Sequence, residues 1–498
     1  ANLAVARALA RAKEVGIRKV VGARDGDVKR LFLVESVLTA LFALVFAWAI
    51  HLGLNRYIET NILSEINYRG SDPISFRADA VAWVVFIVFG VVVGLLAGWL
   101  PARRLAKWRP ARALRGQMSG AGDRISRFGW RKVMTVGQFT VSLIFMIFVA
   151  TVWSQLQFLT MADYGFQKEN LLTFDLKGNN AATLAAEIEQ DHRVTGVSAA
   201  SILIAGNSLQ GDQIQRERGG EKTGIYNLYT DEKYVPVMGL NLVAGENFPA
   251  DANPDREQYI LLNEKAVAAF QLGTPAEAVG KTLWLNDSTP LAVRGVLRDF
   301  NFRPLKTEIE PFALRFLPKS TGFLHVRLAP GDPGPALASL ESIWKKTDLL
   351  HPFEATFMEE KMRNAYRDIE IMGGLIGFFA LLGLSLACLG LLGMVTYTMS
   401  AKVKEIGVRK VVGASLAQVV LLLSRNYLVM LGLAVALAMP VGYYLSNVFL
   451  GFFAYRISVG FFILGGSAVM LLVFGLLTVG VQTVRAALAN PVKSLRSE

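Results

Sequence analysis

The sequence predicts an integral membrane protein in which an α-helical transmembrane bundle of about six helices carries one large α+β extracytoplasmic domain. Hydrophobic residues make up 53% of the 498 residues and charged residues only 18%, a composition too apolar for an ordinary soluble enzyme. Long apolar runs recur six times along the chain, and basic residues concentrate beside the ends of these runs. These three observations define the fold class.

The apolar runs are long enough to cross a bilayer, because a hydrocarbon core of about 30 Å takes roughly 20 helical residues. Buried core helices of a soluble protein would give shorter runs with a polar face, so that interpretation is disfavoured. The six runs are residues 31–50, 81–100, 133–153, 371–397, 427–450 and 461–484.

The net charge of +12 is unevenly distributed. Residues 155–370 contain 22 Lys and Arg against 29 Asp and Glu, so the rest of the chain contains 30 against 11. Because short loops rich in Lys and Arg stay in the cytoplasm, this pattern orients the helices and leaves residues 155–370 outside. The basic excess therefore indicates topology, and nucleic acid is not an expected partner.

The predicted topology divides the chain into seven parts. They are a cytoplasmic segment (1–30), two transmembrane helices (31–102), a basic cytoplasmic loop (103–132), a transmembrane helix (133–154), the extracytoplasmic domain (155–370), a second half with three transmembrane helices (371–485, including a cytoplasmic helix at 402–414) and a cytoplasmic tail (486–498). The lone cysteine, Cys388, falls inside a membrane helix, so no disulfide is expected in the outer domain.

An internal repeat links the two ends of the chain. Residues 13–23 read KEVGIRKVVGA and return at 404–414 as KEIGVRKVVGA, with nine of eleven positions identical. A fainter echo relates residues 110–115 to residues 491–496. One basic run beside a membrane is ordinary topogenesis, but two near-identical copies in equivalent places indicate an internal duplication, which is typical of transporters.

Each copy is predicted to form a short amphipathic helix. Apolar residues fall on one face at helical spacing, and each copy has an acid four residues before an arginine, the favourable order. The apolar residues are Ile17, Val20 and Val21 in the first copy and Val408, Val411 and Val412 in the second; the pairs are Glu14–Arg18 and Glu405–Arg409. Such a helix suits the docking of a soluble partner.

Two glycines recur in each copy. Gly22 and Gly413 fit the stop of a helix, where a residue with positive φ is needed. Gly16 and Gly407 lie in mid-helix, where glycine lowers helix stability, so a close backbone approach is expected there.

The KE[IV]G[IV]RKVVGA signature, its place after a membrane helix and the large domain before one copy resemble the FtsX-like/MacB-like permeases of ABC transporters. The likeness extends over essentially the whole chain. Segments that resemble the periplasmic domain of that family are residues 239–248, 262–264 and 295–300, with 344–346 and 352–353 near its end.

The resemblance implies a two-repeat bacterial permease of the inner membrane, with its outer domain of the MacB type in the periplasm. It implies that a separate ABC ATPase, present as a dimer, seats on the repeated segments, and that a periplasmic adaptor or outer-membrane protein is a further partner. A chain of this kind has two sets of four helices and two outer domains, so we expect the native polypeptide to extend upstream of Ala1. The implied ATPase-coupling residues are Lys13, Glu14, Gly16, Arg18, Lys19, Gly22, Lys404, Glu405, Gly407, Arg409, Lys410 and Gly413.

Strand and helix patterns predict an α/β module within the outer domain. Residues 171–176 and 196–203 are predicted strands on either side of a helix at 181–190. Residues 281–285 and 291–296 are a predicted hairpin that turns at Asn286-Asp287. Leu337, Leu340 and Trp344 mark one face of a further helix.

Residues for catalysis are mostly absent from the sequence. It has no GxxxxGK[ST] phosphate loop, so the chain is expected to be a permease that does not hydrolyse ATP by itself. The four histidines are scattered without paired-ligand spacing, so no metal or cofactor is expected. Glu35 could serve a proton relay, but it lies about one turn inside a membrane helix and can reach the interface, which favours a structural role.

Three functions are compatible with this sequence. The leading one is a permease that uses ATP-driven motion of its helices to move the outer domain, and so exports or extracts a peptide, drug or lipoprotein. The alternative is an ATPase-driven signalling or regulatory protein that controls a periplasmic hydrolase or sensor. An ion-coupled transporter is disfavoured because the helices offer no central charged or broken-helix site.

Overall fold

The computed structural model describes residues 12–58, 80–106, 124–204, 210–287 and 289–488. The chain divides into two compact units. The first contains most of the transmembrane helices, and the second, Ile147–Phe378 with Gly442–Leu464, contains the outer domain and the helix ends that adjoin it. The predicted echo at residues 110–115 and 491–496 lies outside the described residues.

The helices of the described residues are α1 (Ala12–Val20), α2 (Asp25–Ile58), α3 (Ala80–Ala106), α4 (Arg124–Met161), α5 (Ala181–Ile188), α6 (Tyr234–Met238), α7 (Glu264–Ala269), α8 (Pro275–Ala278), α9 (Gly334–Thr347), α10 (Met358–Asn364), α11 (Arg367–Val411), α12 (Leu416–Leu450) and α13 (Phe461–Leu488). Six of them, α2 to α4 and α11 to α13, are long and apolar enough to cross a membrane. The prediction of about six membrane-capable helices is confirmed, and each of the six lies on one of the predicted apolar runs.

The second repeat differs from its prediction. A separate short helix was predicted at 402–414, but residues 402–411 are the end of α11, which runs for 45 residues without interruption. The prediction of a separate helix was therefore wrong. The run contains no proline, and its polar end is rich in lysine and arginine, which are good helix formers, so a helix can continue past the end of the apolar stretch.

Helices α2 and α3 pack closely because α3 carries glycine at every fourth position on one face. A Cβ atom at Gly94 would lie 2.7 Å from the Cα of Val37, and one at Gly98 would lie 2.6 Å from Oγ of Ser36. Small residues let two helix backbones approach where lipid supplies no hydrophobic driving force. The first pair of membrane helices is thus held by backbone contact.

The strands of the outer domain are β1 (Leu171–Asp175), β2 (Val194–Ala200), β3 (Gln210–Gln215), β4 (Lys222–Thr230), β5 (Leu242–Gly245), β6 (Tyr259–Asn263), β7 (Thr282–Asn286), β8 (Thr289–Leu297), β9 (Phe312–Phe316), β10 (Phe323–Leu328) and β11 (Ala355–Phe357). The predicted strands and helices are confirmed with small shifts of their ends. The hairpin turn begins one residue later than predicted, at Asp287, because Asn286 is still paired with Thr289.

The sheet has two parts. Strands β11, β1, β10 and β2 are antiparallel neighbours, and α5 and α9 cover one face of them through Leu184, Leu340 and Trp344. Strands β4, β3, β7, β8, β6 and β9 follow, and β9 pairs back with β4, so these six strands close into a ring. A closed ring has no free edge to pair with another chain.

A row of polar side chains crosses the open part of the sheet. Thr356, Thr173, His325 and Ser198 oppose one another on four adjacent strands. His325 is fully buried, and neither of its ring nitrogens has a hydrogen-bond partner; its ring lies 5.5 Å from that of Tyr234 in an edge-on arrangement. Burial, with repulsion from a neighbouring lysine, lowers the pKa of His325 to about 3, so its imidazole is neutral.

Candidate functional site

The first copy of the repeat folds as a tight corner between α1 and α2; residues 12–27 are called the first corner. Gly22 has φ of +107°. The amide of Ala23 donates to the carbonyl of Arg18 at 3.0 Å, and that of Gly22 donates to Lys19 at 3.2 Å. These two bonds form a Schellman cap, which satisfies carbonyls at the end of α1. The predicted helix stop at Gly22 is thus observed.

Two further contacts hold the first corner. The amide of Arg24 donates to Oδ2 of Asp27 at 2.9 Å, so the third residue of α2 closes over its start. Nζ of Lys19 lies 2.7 Å from Oδ1 of Asp25, across the turn, and the lysine side chain is 9% exposed. An acid in the first turn also suits the helix dipole.

The second corner, residues 404–418, has the same turn. Gly413 has φ of +94°, and the amide of Ala414 donates to the carbonyl of Arg409 at 3.0 Å. The next helix begins with a complete capping box: Ser415 N–H donates to Oε1 of Gln418 at 3.1 Å, and Gln418 N–H donates to Oγ of Ser415 at 3.3 Å. The predicted stop at Gly413 is observed as well.

The two corners expose the same apolar face. Ile17 is 56% exposed and its counterpart Val408 is 53% exposed; Val21 is 82% exposed and its counterpart Val412 is 81% exposed. The residue that packs inward in the first corner is Val15, which lies in a small buried cluster with Phe32 of α2 and Ala102 of α3. Val20 is exposed as well, so the predicted apolar face is uncovered in the first copy; in the second it is uncovered at Val408 and Val412, and the side chain of Val411 lies outside the described part of the structure.

The structure describes the side chains of only some of the predicted coupling residues. Arg18 donates to Glu14 at 2.8 Å on the exposed face of α1, as the spacing predicts, and Arg409 is exposed. Gly16 is buried, and the close backbone approach expected there stays a prediction. The backbones of the remaining predicted residues, Gly407 among them, are helical, but four side chains lie outside the described part of the structure: Lys13, Lys404, Glu405 and Lys410.

Sequence reasoning missed two contacts of these corners. The Ser415–Gln418 capping box follows the known S-x-x-Q signature and could have been read. The Lys19–Asp25 contact could not, because it depends on how tightly the chain turns at Gly22. Among the described residues no group of three or more His, Cys, Asp or Glu could hold a metal ion.

Two protein-family models match this chain, and together they cover most of its length. The FtsX-like permease C-terminal family matches residues 1–110 and 377–491, and the MacB-like periplasmic core domain matches residues 133–341. The two FtsX segments contain the first and the second corner respectively. The duplication is therefore wider than the eleven-residue motif.

Curated relatives match over a shorter stretch. The macrolide export ATP-binding/permease protein MacB of Chromobacterium violaceum is 34% identical over 113 residues, 23% of this chain and 16% of the relative. MacB 1 of Aeromonas hydrophila is 31% identical with the same coverage. The match thus spans about a sixth of the length of these relatives.

A solved structure, the periplasmic region of MacB from Actinobacillus actinomycetemcomitans, is 18% identical; the match covers 39% of this chain and 91% of that one, with a TM-score of 0.30. The family assignment does not depend on this likeness. Six membrane-capable helices and a MacB-like periplasmic core domain make the chain a multi-pass inner-membrane protein with a periplasmic domain. The chain belongs to the FtsX-like/MacB-like permeases.

Proposed function

We propose that this chain is the permease subunit of an ABC transporter, and that a separate ATPase, acting as a dimer, seats one subunit on each corner. ATP-driven motion of the corners then moves the periplasmic domain, for the export or extraction of a peptide, drug or lipoprotein. The names of the MacB relatives, which describe macrolide export, support the transport class for those proteins.

The observation that carries the proposal is the matched apolar face of the two corners. Val21 and Val412 are more than 80% exposed, each beside a hydrogen-bonded turn at the end of its helix. A soluble protein rarely leaves such residues uncovered in equivalent pairs, and a contiguous exposed apolar patch bordered by charge is typical of a protein interface. Two copies of one surface fit two copies of one partner.

The charges beside this face would set the orientation of the partner. Glu14 and Arg18 pair on the exposed side of α1, where an intrahelical pair adds only about 0.2–0.5 kcal/mol to the helix. Their main effect is therefore on recognition, since electrostatic complementarity at an interface governs specificity and like charges there cost several kcal/mol.

The test is charge reversal in each corner. Glu14→Lys, Glu405→Lys and the double variant would be co-expressed with the candidate ATPase, and membrane level, ATPase co-purification and stimulated turnover would be measured. Glu341→Lys is the matched control, because Glu341 forms the same i,i+4 pair, with Lys345 at 2.6 Å, on an exposed helix of the periplasmic domain.

We expect all variants to reach the membrane at the normal level. Both corner variants should lose ATPase binding and stimulated turnover, while Glu341→Lys should keep them. If ATPase binding and stimulated turnover were unchanged in the double variant, the corners would not be the coupling site. The regulatory alternative uses the same coupling to the ATPase, so charge reversal does not test it. Binding of a hydrolase or a sensor kinase to the periplasmic domain of the purified chain, in place of a transport substrate, would favour that alternative.

A further inference from the structure

A chain of hydrogen bonds ties the periplasmic domain to the outer ends of the membrane helices. We call it the outer junction: Gln155, Tyr164 and Tyr366 with the loop 304–308 and the turn 451–460. All of it lies within one compact unit of the chain. Nothing in the sequence pattern brings these parts together, since the bonds that join them span 61 to 302 positions of the chain.

The first part of the outer junction joins the two tethers of the domain. Tyr164 lies three residues after α4, and Tyr366 lies immediately before α11. Their hydroxyl oxygens are 2.7 Å apart, and both side chains are about 2% exposed or less. The Tyr164 hydroxyl donates to the carbonyl of Leu159 at 3.1 Å, and so caps the last turn of α4.

The direction of each bond follows from the donors available. Because Tyr164 donates to Leu159, the hydroxyl of Tyr366 donates to Tyr164, and the oxygen of Tyr366 accepts the amide of Leu305 at 2.7 Å. Burial raises the pKa of both tyrosines, so both hydroxyls stay protonated. The result is one ordered chain from a loop of the domain to the end of a membrane helix.

The second part joins that loop to the turn between α12 and α13. The amide of Ala454 donates to the carbonyl of Lys306 at 3.1 Å. On the other side of the turn, Gln155 of α4 is fully buried: its Nε2 donates to the carbonyl of Tyr455 at 2.9 Å, and its Oε1 accepts the amide of Ile457 at 3.0 Å. One side chain thus satisfies two backbone groups of the turn.

We infer that the outer junction is one cooperative unit, which makes the turn 451–460 and the outer end of α4 move as part of the periplasmic domain. Gln155 and Tyr366 are its positioning residues. A buried amide side chain and two buried hydroxyls that are all satisfied favour a single arrangement, because any partial opening leaves buried polar groups without partners. Two covalent tethers alone would leave the domain free to hinge on α4 and α11.

The role of this unit in transport rests on the proposed function. Helix α11 begins next to Tyr366, at Arg367, and runs without a break to the second corner. Displacement of that corner would then reach the domain through one helix and pass across the outer junction to α12 and α13. The cooperative unit itself does not depend on the partner ATPase, and it is tested on the purified chain alone.

The test is amide hydrogen exchange on the chain in detergent or nanodiscs, with Gln155→Leu and Tyr366→Phe. Each variant breaks the outer junction at one end. If the unit is cooperative, each should speed exchange roughly 10- to 100-fold in both segments, 303–308 and 453–458, because local opening exposes a whole unit at once. Strands β1 and β10 should keep their protection.

Controls and milder variants make the outcome decisive. Gln138→Leu, an exposed glutamine on α4, and Tyr444→Phe, an exposed tyrosine on α12, should leave both segments unchanged. Tyr164→Phe removes the bonds of Tyr164 to Leu159 and to Tyr366 but keeps the bond between Leu305 and Tyr366, and it serves if Tyr366→Phe does not fold. Faster exchange confined to 453–458 in Gln155→Leu, or to 303–308 in Tyr366→Phe, would overturn the inference.

A test in the complex with the ATPase separates this inference from the proposed function. If a variant keeps ATPase binding but loses transport, the defect lies in the outer junction. If the unmodified chain does not bind the ATPase, the proposed function is wrong, and the outer junction is unaffected by that result.

Discussion

The two corners of this permease share a turn and an exposed face but differ in what supports them. The first is held by the Lys19–Asp25 contact and by Val15 packed on α2. The second ends a 45-residue helix and is closed by the Ser415–Gln418 capping box. The exposures of the two apolar pairs that can be compared, Ile17 with Val408 and Val21 with Val412, agree within a few per cent. One support differs in the sequence itself, since Leu416 stands in the second copy where Asp25 stands in the first, whereas the surface positions that can be compared are alike.

The largest expected effect tests whether the two surfaces are equivalent. Val21→Asp and Val412→Asp would each place a charge in the proposed interface, where an unpaired charge is strongly unfavourable. We expect each to weaken ATPase binding by roughly 100-fold or more. The measurement is affinity by titration of the purified ATPase. A large loss in one variant with none in the other would break the equivalence and assign docking to a single corner.

A smaller effect tests the shared turn. Gly22→Ala and Gly413→Ala put a side chain at positive φ, although a Cβ atom at either position would meet nothing within 4 Å. The cost is then conformational, about 1–2 kcal/mol at each corner. Exchange of the capping amides, Ala23 and Ala414, should speed up to a similar degree in both, and asparagine should cost less than alanine. Unchanged exchange at either amide would contradict the Schellman caps.

The smallest expected effect tests how the two corners differ at the start of the helix that follows each turn. Ser415→Ala should cost about 1 kcal/mol through loss of the capping box. Arg24 occupies the equivalent position, and Arg24→Ser should complete a box with Asp27, gaining a few tenths of a kcal/mol to about 1 kcal/mol. Amide exchange in the first turns of α12 and α2 measures both changes, in opposite directions. Destabilisation by Arg24→Ser would show that the arginine side chain has a role of its own.

Sequence reasoning succeeded where the signal is local and failed where it is distant. The stops at Gly22 and Gly413 and the buried face of α9 follow from spacing alone. The length of α11 was missed because hydropathy marks the edge of the bilayer, and a helix can continue past that edge. The ring closed by β4 and β9, and the bonds of Gln155 to the turn 451–460, join residues far apart in the chain. Such pairs are set by the packed fold and leave no periodicity to read.

The buried His325 gives the periplasmic domain a response to acid. Its pKa of about 3 is below the usual value, so as pH falls from 6.5 towards 3 the unfolded chain takes up a proton that the folded domain refuses. Folding is thereby weakened on acidification. Asp231 acts in the opposite sense between about pH 6 and 4, because burial raises its pKa to about 6 and the folded domain then binds the proton more tightly. The histidine has the wider window and should dominate.

Proton uptake therefore sets a lower limit on the pH at which this domain keeps its fold. His325→Phe removes the histidine and leaves Asp231, so the variant should lose less stability than the parent chain between pH 7.5 and 5. Thermal unfolding of the purified chain at the two pH values measures the difference. Equal acid shifts in both proteins would mean that the polar row across the sheet takes no part in the acid response.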